Sequence, residues 1–447
     1  MSRTMFGRAV MAASVAVLVP ACTTSGGNTP AAMTATTARA ATTATTATAA
    51  TSPAVEPSST DSGPLLTSFP APRAFGGAAV PVSLHALVAN MAGDFTSRFI
   101  LVGTRAYGVT GTSVAEVDLS TGTTVWESRF PHAAAQEKDS SMYDPTGPGA
   151  PMLSADGSTV YAALVVDVRG TGTTADSIAL ELVAVDAASG HLSWSVDVPA
   201  GSEVFSAASE SIRIAGIEDG RVVLTRPGDG VATVGQVAVV DTSTQQLLWS
   251  HPGTVKAVSP EAVIVVAKTD TAGVANYPQL MGLDPGTGHL LWTGGTDEES
   301  AVVSVSAVQT NAGMVLTIKP YSGAHPYTVV VDPRTGRRKK VDGNVLLFQP
   351  VKDGDALYDT GSGVRALDPA TLAVIWELPK GNRIAPRSPV FFGGRVYGQV
   401  NNGMSVVVDG KTGQDVAAQI PGSFVAVDNY GALMLRDGDV VFVPATA

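Results

Sequence analysis

Leu283–Trp292 reads LDPGTGHLLW: an apolar strand end, an Asp, a turn closed by Thr-Gly, and a second strand that brings Trp292 eight residues after Asp284. Six further segments align on that Asp. They are EVDLSTGTTVW at Asp118, AVDAASGHLSW at Asp186, VVDTSTQQLLW at Asp241, VVDPRTGRRKK at Asp332, ALDPATLAVIW at Asp368 and VVDGKTGQDVA at Asp409. A Ser or Thr stands three residues after the Asp in all seven, Gly four after in five, and Trp eight after in five. Those five are Trp126, Trp194, Trp249, Trp292 and Trp376, which are all the tryptophans of the protein. A fixed motif recurring along a chain marks a repeat architecture, so repeats are counted before domains.

Each position has a local reason. An Asp carboxylate at the start of a turn accepts hydrogen bonds from N–H groups two or three residues on, and a Ser/Thr hydroxyl reinforces it. Gly then takes the left-handed conformation at little steric cost. The Trp falls on the following strand, where its ring is expected to wedge between neighbouring sheets. In the Asp332 unit Lys340 fills the Trp slot, and in the Asp409 unit Ala417 does. Looser docking is expected at those two units.

Around each motif lie short Val-rich runs separated by turn pairs such as Asp353-Gly354 and Asn402-Gly403. RFILVG, RAYGVTG, SVAEVDL and TTVWESR make one four-stranded unit, and PVFF, GRVYGQV, MSVVVD and GQDVAAQ make another. Four-stranded antiparallel units at this interval predict an all-β fold, a β-propeller. After the seventh marker come FVAVD, ALMLR and DVVFVPA, three strands of a further unit with no Asp-turn-Trp element. Val80–Ala89 is the candidate fourth strand, closing the ring by pairing the two ends of the chain. That count gives eight blades; seven is the alternative if the terminal strands merely complete a marked unit. Successive aspartates are 68, 55, 43, 48, 36 and 41 residues apart, so insertions concentrate early, at Pro131–Pro151 and Val168–Ala179. Long loops in such folds often carry partner contacts, with neutral surface drift the commoner origin of any one insertion.

Residues 1–21 have the three parts of an export signal: Arg3 and Arg8, the apolar run Ala9–Val19, then Val19-Pro20-Ala21 before Cys22. The run is shorter than the ~17–25 residues of a membrane-spanning helix. Its end resembles a bacterial lipobox, which implies lipidation at Cys22 and a protein held on the extracytoplasmic face of the cell membrane. Cys22 is the only cysteine, so the exported part has no internal disulfide. Residues 22–74 are rich in Thr, Ala, Ser and Pro, a composition that cannot offset the ordering entropy of a core, and are expected to form a disordered tether. The propeller is then expected over residues 75–447. Without residues 1–21 the chain has 26 basic and 39 acidic side chains, net −13, which disfavours nucleic acid as a partner.

With the motif, the strands and the signal in view, the repeats resemble the tryptophan-docking units of pyrroloquinoline-quinone-type β-propellers. The resemblance covers roughly Phe99 to the C-terminus. That superfamily includes quinoprotein alcohol dehydrogenases and the propeller lipoprotein of the outer-membrane barrel assembly machinery. The resemblance therefore implies either a non-enzymatic binding or scaffold protein, for an envelope protein or polymer, or a quinone-dependent dehydrogenase. The quinone enzymes of the superfamily generally use a disulfide of neighbouring cysteines, a calcium site and an Asp base. Cys22 alone cannot form that disulfide, and the repeat aspartates are committed to turns, so neither catalytic residues nor cofactor nor metal is expected.

Three other motifs are weighed against the repeat. Gly410-Lys411-Thr412 resembles the end of a phosphate loop, but Ser405 stands where the required glycine would be. His191 and His289 share one repeat position after the turn and, with His85, His132, His251 and His325, show no metal-binding spacing, so they read as exposed turn residues. Arg337-Arg338-Lys339-Lys340 is a dense cation run that reads as protection of a sheet edge.

Overall fold

Alternating Val-rich strands joined by tight turns produce eight consecutive antiparallel sheets, the blades of a β-propeller. The computed structural model describes residues 66–82, 99–110, 112–134, 149–200, 212–226, 235–268, 278–294, 302–310, 313–320, 322–341, 345–361 and 363–447. The signal segment, Cys22, most of the proposed tether and His85 lie outside the described residues.

The first blade comprises Phe99–Val102, Arg105–Val109, Ser113–Asp118 and Thr123–Arg129, each strand pairing with the next. The fourth repeats this with Thr254–Val258, Val263–Lys268, Pro278–Leu283 and Leu290–Thr293. From the second blade to the eighth the first strands of neighbouring blades touch one another, that of the eighth touches that of the first, and the first and second blades share a core cluster, so these strands surround the centre and the ring is closed. Each Asp-turn motif joins the third strand to the fourth, which puts it at the outer part of the blade.

The eighth blade is Ser423–Val427, Gly431–Arg436 and Asp439–Pro444, completed by Val80–Pro81 from the other end of the chain. Val80 pairs with Phe442 and Pro81 with Val441. This is the closure expected from the sequence, confined among the described residues to a two-residue strand. Pro81 is tolerated there because the strand is an edge and its missing N–H costs no ladder bond.

Contact with the propeller begins upstream of Phe75. Phe69 N–H donates to Asn429 O at 2.6 Å, Tyr397 Oη donates to Pro72 O at 2.7 Å, and Arg73 N–H donates to Ala447 O at 2.8 Å. Leu66 packs on the cluster formed by Phe99, Leu433 and Phe442. Residues 66–74 thus lie along the seventh and eighth blades.

The core is a series of seams between adjacent blades rather than one central mass. Tyr107, Val114, Trp126, Val160, Val183 and Val185 fill the seam of the first and second blades, and Ile264, Trp292, Leu316 and Val331 that of the fourth and fifth. Alternation along each middle strand sends successive side chains to opposite seams, which is why these strands read as continuous apolar runs.

The second blade departs most from the rest. Its first strand is split into Ala133–Ala134 and Met152–Leu153, both paired with Thr159–Val168, and its two middle strands are ten residues each. The Pro131–Pro151 insertion therefore interrupts this central strand, with residues 135–148, including Met142 and Tyr143, outside the described residues. The Val168–Ala179 segment is the hairpin of the lengthened strands, braced by Gly170 N–H to Asp176 Oδ1 at 2.8 Å.

Candidate functional site

The repeat aspartates all bind their own turns. Asp284 Oδ1 accepts from Gly286 N–H at 3.0 Å, Thr287 N–H at 2.8 Å and the Thr287 hydroxyl at 2.9 Å. Asp368 and Asp409 repeat that triad with Ala370 and Thr371, and with Lys411 and Thr412. Asp118 accepts from Ser120, Asp186 from Ser189, Asp241 from Ser243 and Thr244, and Asp332 from Thr335 N–H. The Ser243 hydroxyl and Thr244 N–H hold the Asp241 carboxyl down at about 2, and the other six are also shifted below the usual carboxylate range. These carboxylates stay ionised at neutral pH and their acceptor capacity is directed at backbone. The same bonds dispose of the phosphate-loop reading, since the N–H groups of Lys411 and Thr412 point at Asp409.

The residue four after each Asp is left-handed in all seven units, with φ between 57° at Gln245 and 73° at Gly122. Five are glycines, and four of these meet the indole of the preceding blade. A Cβ on Gly190, Gly288, Gly336 or Gly413 would fall 2.5–2.7 Å from Trp126, Trp249, Trp292 or Trp376 respectively. The same four indoles donate N–H to the carbonyl just after the next blade's Asp, at Ala187, Pro285, Pro333 and Gly410, over 2.7–3.1 Å. Glycine therefore serves two ends at once, the turn and a flat seat for the neighbour's Trp.

Of the three exceptions, two are compensated. Trp194 faces a unit with Gln245 in place of Gly; it is half-buried and, among the described residues, donates no such hydrogen bond. Opposite Lys340 the glycine is replaced by Leu372, which is buried and joins Val308, Val315 and Leu357 between the fifth and sixth blades. Beside Ala417, Phe75 enters from the N-terminal segment and lies 6.1 Å from Tyr397, against 6.1 and 6.4 Å for the Tyr107–Trp126 and Tyr358–Trp376 pairs. The looser docking expected at these two units is thus met by side chains that fill the space. Gly122 of the first blade has no indole partner; the backbone of Pro81 occupies its face.

The outer wall carries a second regularity. Among the described residues ten large apolar side chains are exposed, and seven stand on fourth strands: Val125, Leu248, Leu290, Leu291, Val374, Ile375 and Val416. Five of them occupy one repeat position, the residue just before the Trp slot, where alternation turns the side chain away from the seam. Next to Ile375 a cleft of 380 Å³ opens between the sixth and seventh blades, lined by Leu357, Tyr358, Gly410 and Lys411. The cations Arg338, Lys339 and Lys340 form the exposed fourth strand of the fifth blade and interrupt this apolar row.

His191 and His289 are exposed, as the turn assignment requires. His132 is not a turn residue. Its Nδ1 lies 3.0 Å from Glu181 Oε1 and 3.4 Å from Asp197 Oδ1. Burial pushes the Glu181 carboxyl up. Sequence reasoning missed this cluster because Glu181 and Asp197 become neighbours only through strand register, and His132 lies 49 residues from Glu181.

Fold and repeat together define a β-propeller of eight four-stranded blades. Residues 180–342 match the family model described as outer membrane protein assembly factor BamB. No curated protein sequence matches the chain. Among solved structures it is similar to BamB from Moraxella catarrhalis, at 15% identity over 86% of this chain and 100% of that one, TM-score 0.45. It is also similar to quinohemoprotein alcohol dehydrogenases from Pseudomonas putida HK5 (14% identity, 78% and 74% coverage, TM-score 0.44) and Comamonas testosteroni (12%, 82% and 76%, 0.47).

Proposed function

We propose that the protein is an exported, lipid-anchored β-propeller that binds another cell-envelope protein through its outer wall and carries out no chemistry of its own. The carrying observation is that apolar side chains such as Leu291 and Ile375 stand exposed at one recurring position on the fourth strands, where each offers an anchor point for a partner. The polar groups that recur around the ring are meanwhile consumed by turns and by indole docking. The family model matched by residues 180–342 is named for an outer membrane protein assembly factor, which supports an envelope partner.

The quinone cofactor of related folds does not fit the residues present. With Cys22 alone there is no pair of neighbouring cysteines. The His–carboxylate cluster found among the described residues draws Glu181 and Asp197 from the third and fourth strands of the second blade and offers no cysteine.

A photo-activated cross-linker placed at Leu291 or Ile375 in intact cells is expected to capture the same envelope protein from both positions, with capture lost on Ile375→Asp. No reproducible partner, or dye-linked alcohol oxidation on adding quinone and calcium, would refute this reading. The anchor has a separate test: Cys22→Ser is expected to release the protein from the membrane fraction, and retention would show that Cys22 holds nothing.

A further inference from the structure

Among the buried carboxylates of the described residues, Glu181 is the one whose partner is a histidine. Glu116 is paired with Arg105 at 3.2 Å, and Asp359 with Arg365 at 2.8 Å. Asp428 accepts two backbone N–H groups. Glu181 has no accessible side-chain surface and faces the seam of the first and second blades, on the same strand face as Ala179 and Val183. No Lys or Arg among the described residues pairs with it. Its registered partner across the ladder is another acid, Asp197. Like charges directly opposite on adjacent strands are destabilising, and a buried carboxylate without a cation is more so. Among the described residues the only side chain placed to interact with both is His132.

The donor atoms of His132, Glu181 and Asp197 all lie within 4.8 Å of one another. Two ligands about 2.0–2.1 Å from a tetrahedral zinc ion stand about 3.3 Å apart. The separations from His132 Nδ1, 3.0 Å to Glu181 and 3.4 Å to Asp197, bracket that value. The second Glu181 oxygen accepts the His132 backbone N–H at 3.3 Å, which fixes the plane of the carboxylate as an outer hydrogen bond does in metal sites. Asp197 and His132 are partly open to solvent whereas Glu181 is closed off, so a fourth coordination position would face outward.

We propose that His132, Glu181 and Asp197 form a binding site for a divalent transition-metal ion, zinc fitting best. One imidazole and two carboxylates suit zinc, whereas calcium takes six to eight oxygen ligands and would find only two carboxylates and a nitrogen it does not favour. The ion supplies the charge that the acidic pair lacks and ties the start of the second blade's divided strand to its two outer strands. This inference does not depend on the proposed envelope partner.

The test is calorimetric titration of the full chain with zinc after chelation, repeated with calcium. Zinc is expected to bind in a ratio of one per chain and calcium to give no comparable signal. Asp197→Asn, a partly exposed change that keeps side-chain shape, and His132→Ala are each expected to weaken zinc binding at least about tenfold. His289→Ala is expected to leave it unchanged. A visible absorption spectrum of the cobalt-loaded chain that disappears in Asp197→Asn would place the ion at the cluster. No zinc binding to the wild-type chain, affinity unaltered by Asp197→Asn, or affinity lost with His289→Ala would each overturn the proposal.

Discussion

Gly288→Ala is the substitution that most directly interrogates how neighbouring blades are held. Gly288 has φ of 71°, and a Cβ there would lie 2.7 Å from the Trp249 ring, against a van der Waals approach near 3.5–4.0 Å. Two costs are separable. The left-handed conformation alone costs a non-glycine residue roughly 1–2 kcal/mol. Displacing the indole adds roughly 1–3 kcal/mol of overpacking, and its N–H bond to Pro285, 3.0 Å long, is worth about 1 kcal/mol more. The sum is about 3–6 kcal/mol in the wild-type background. In a Trp249→Ala background the ring is absent and only the backbone cost of roughly 1–2 kcal/mol is expected. Urea denaturation of the four proteins, followed by near-ultraviolet circular dichroism and fluorescence, closes the double-mutant cycle. A coupling of about 2–4 kcal/mol is expected from the difference between those sums. Equal costs of Gly288→Ala in both backgrounds would refute the seat-and-wedge account of docking. The chain contains its own comparison, because Gln245→Gly relieves the same backbone strain and is expected to stabilise the protein by about 1 kcal/mol.

Two further outcomes follow from residues outside the motif. Phe75→Ala empties the place that a Trp occupies in other blades, beside Tyr397 and Phe424, and is expected to cost about 3–5 kcal/mol, read as a lowered melting temperature; a neutral effect would mean that Phe75 does not substitute for the missing indole. Burial pushes the Asp428 carboxyl up to about 6 from its usual 3.8, with Oδ2 unpartnered among the described residues. The native state therefore holds this proton more tightly than the unfolded chain. The associated stability is full below pH 3.8 and is lost as pH rises through about 6, a change of up to about 3 kcal/mol. Asp428→Asn is expected to flatten the dependence between pH 4 and pH 7 in thermal melts, and an unchanged profile would assign it to other groups.

The recurrence of the Asp-turn-Trp element makes the fold legible in the sequence, because one local chemistry repeated seven times admits few architectures. The closing strand was legible too, since three unmatched strands at one end demand a fourth from elsewhere. Leu372 and Phe75 were opaque for a different reason. Each substitutes for a missing partner in space rather than in sequence, and Phe75 does so across more than three hundred residues from Tyr397. The His132 cluster was hidden in the same way, by strand register, and by an insertion that separates its histidine from the rest of its blade. The expectation that partner contacts fall on the long loops rested on loop length; the apolar row became visible only once alternation and exposure could be read on each outermost strand.

The docking of residues 66–75 has a mechanical meaning. A pull on the chain from its N-terminal side would reach the Phe69–Asn429 and Tyr397–Pro72 bonds, the bidentate-free grip of Arg395 on the Ala71 carbonyl, and the Phe75 ring before it reached Val80–Pro81. The strand that closes the ring is two residues long, and alone it would be the first thing to peel. Placed behind this series of attachments it is shielded, much as a cable clamp takes the tension off a soldered joint.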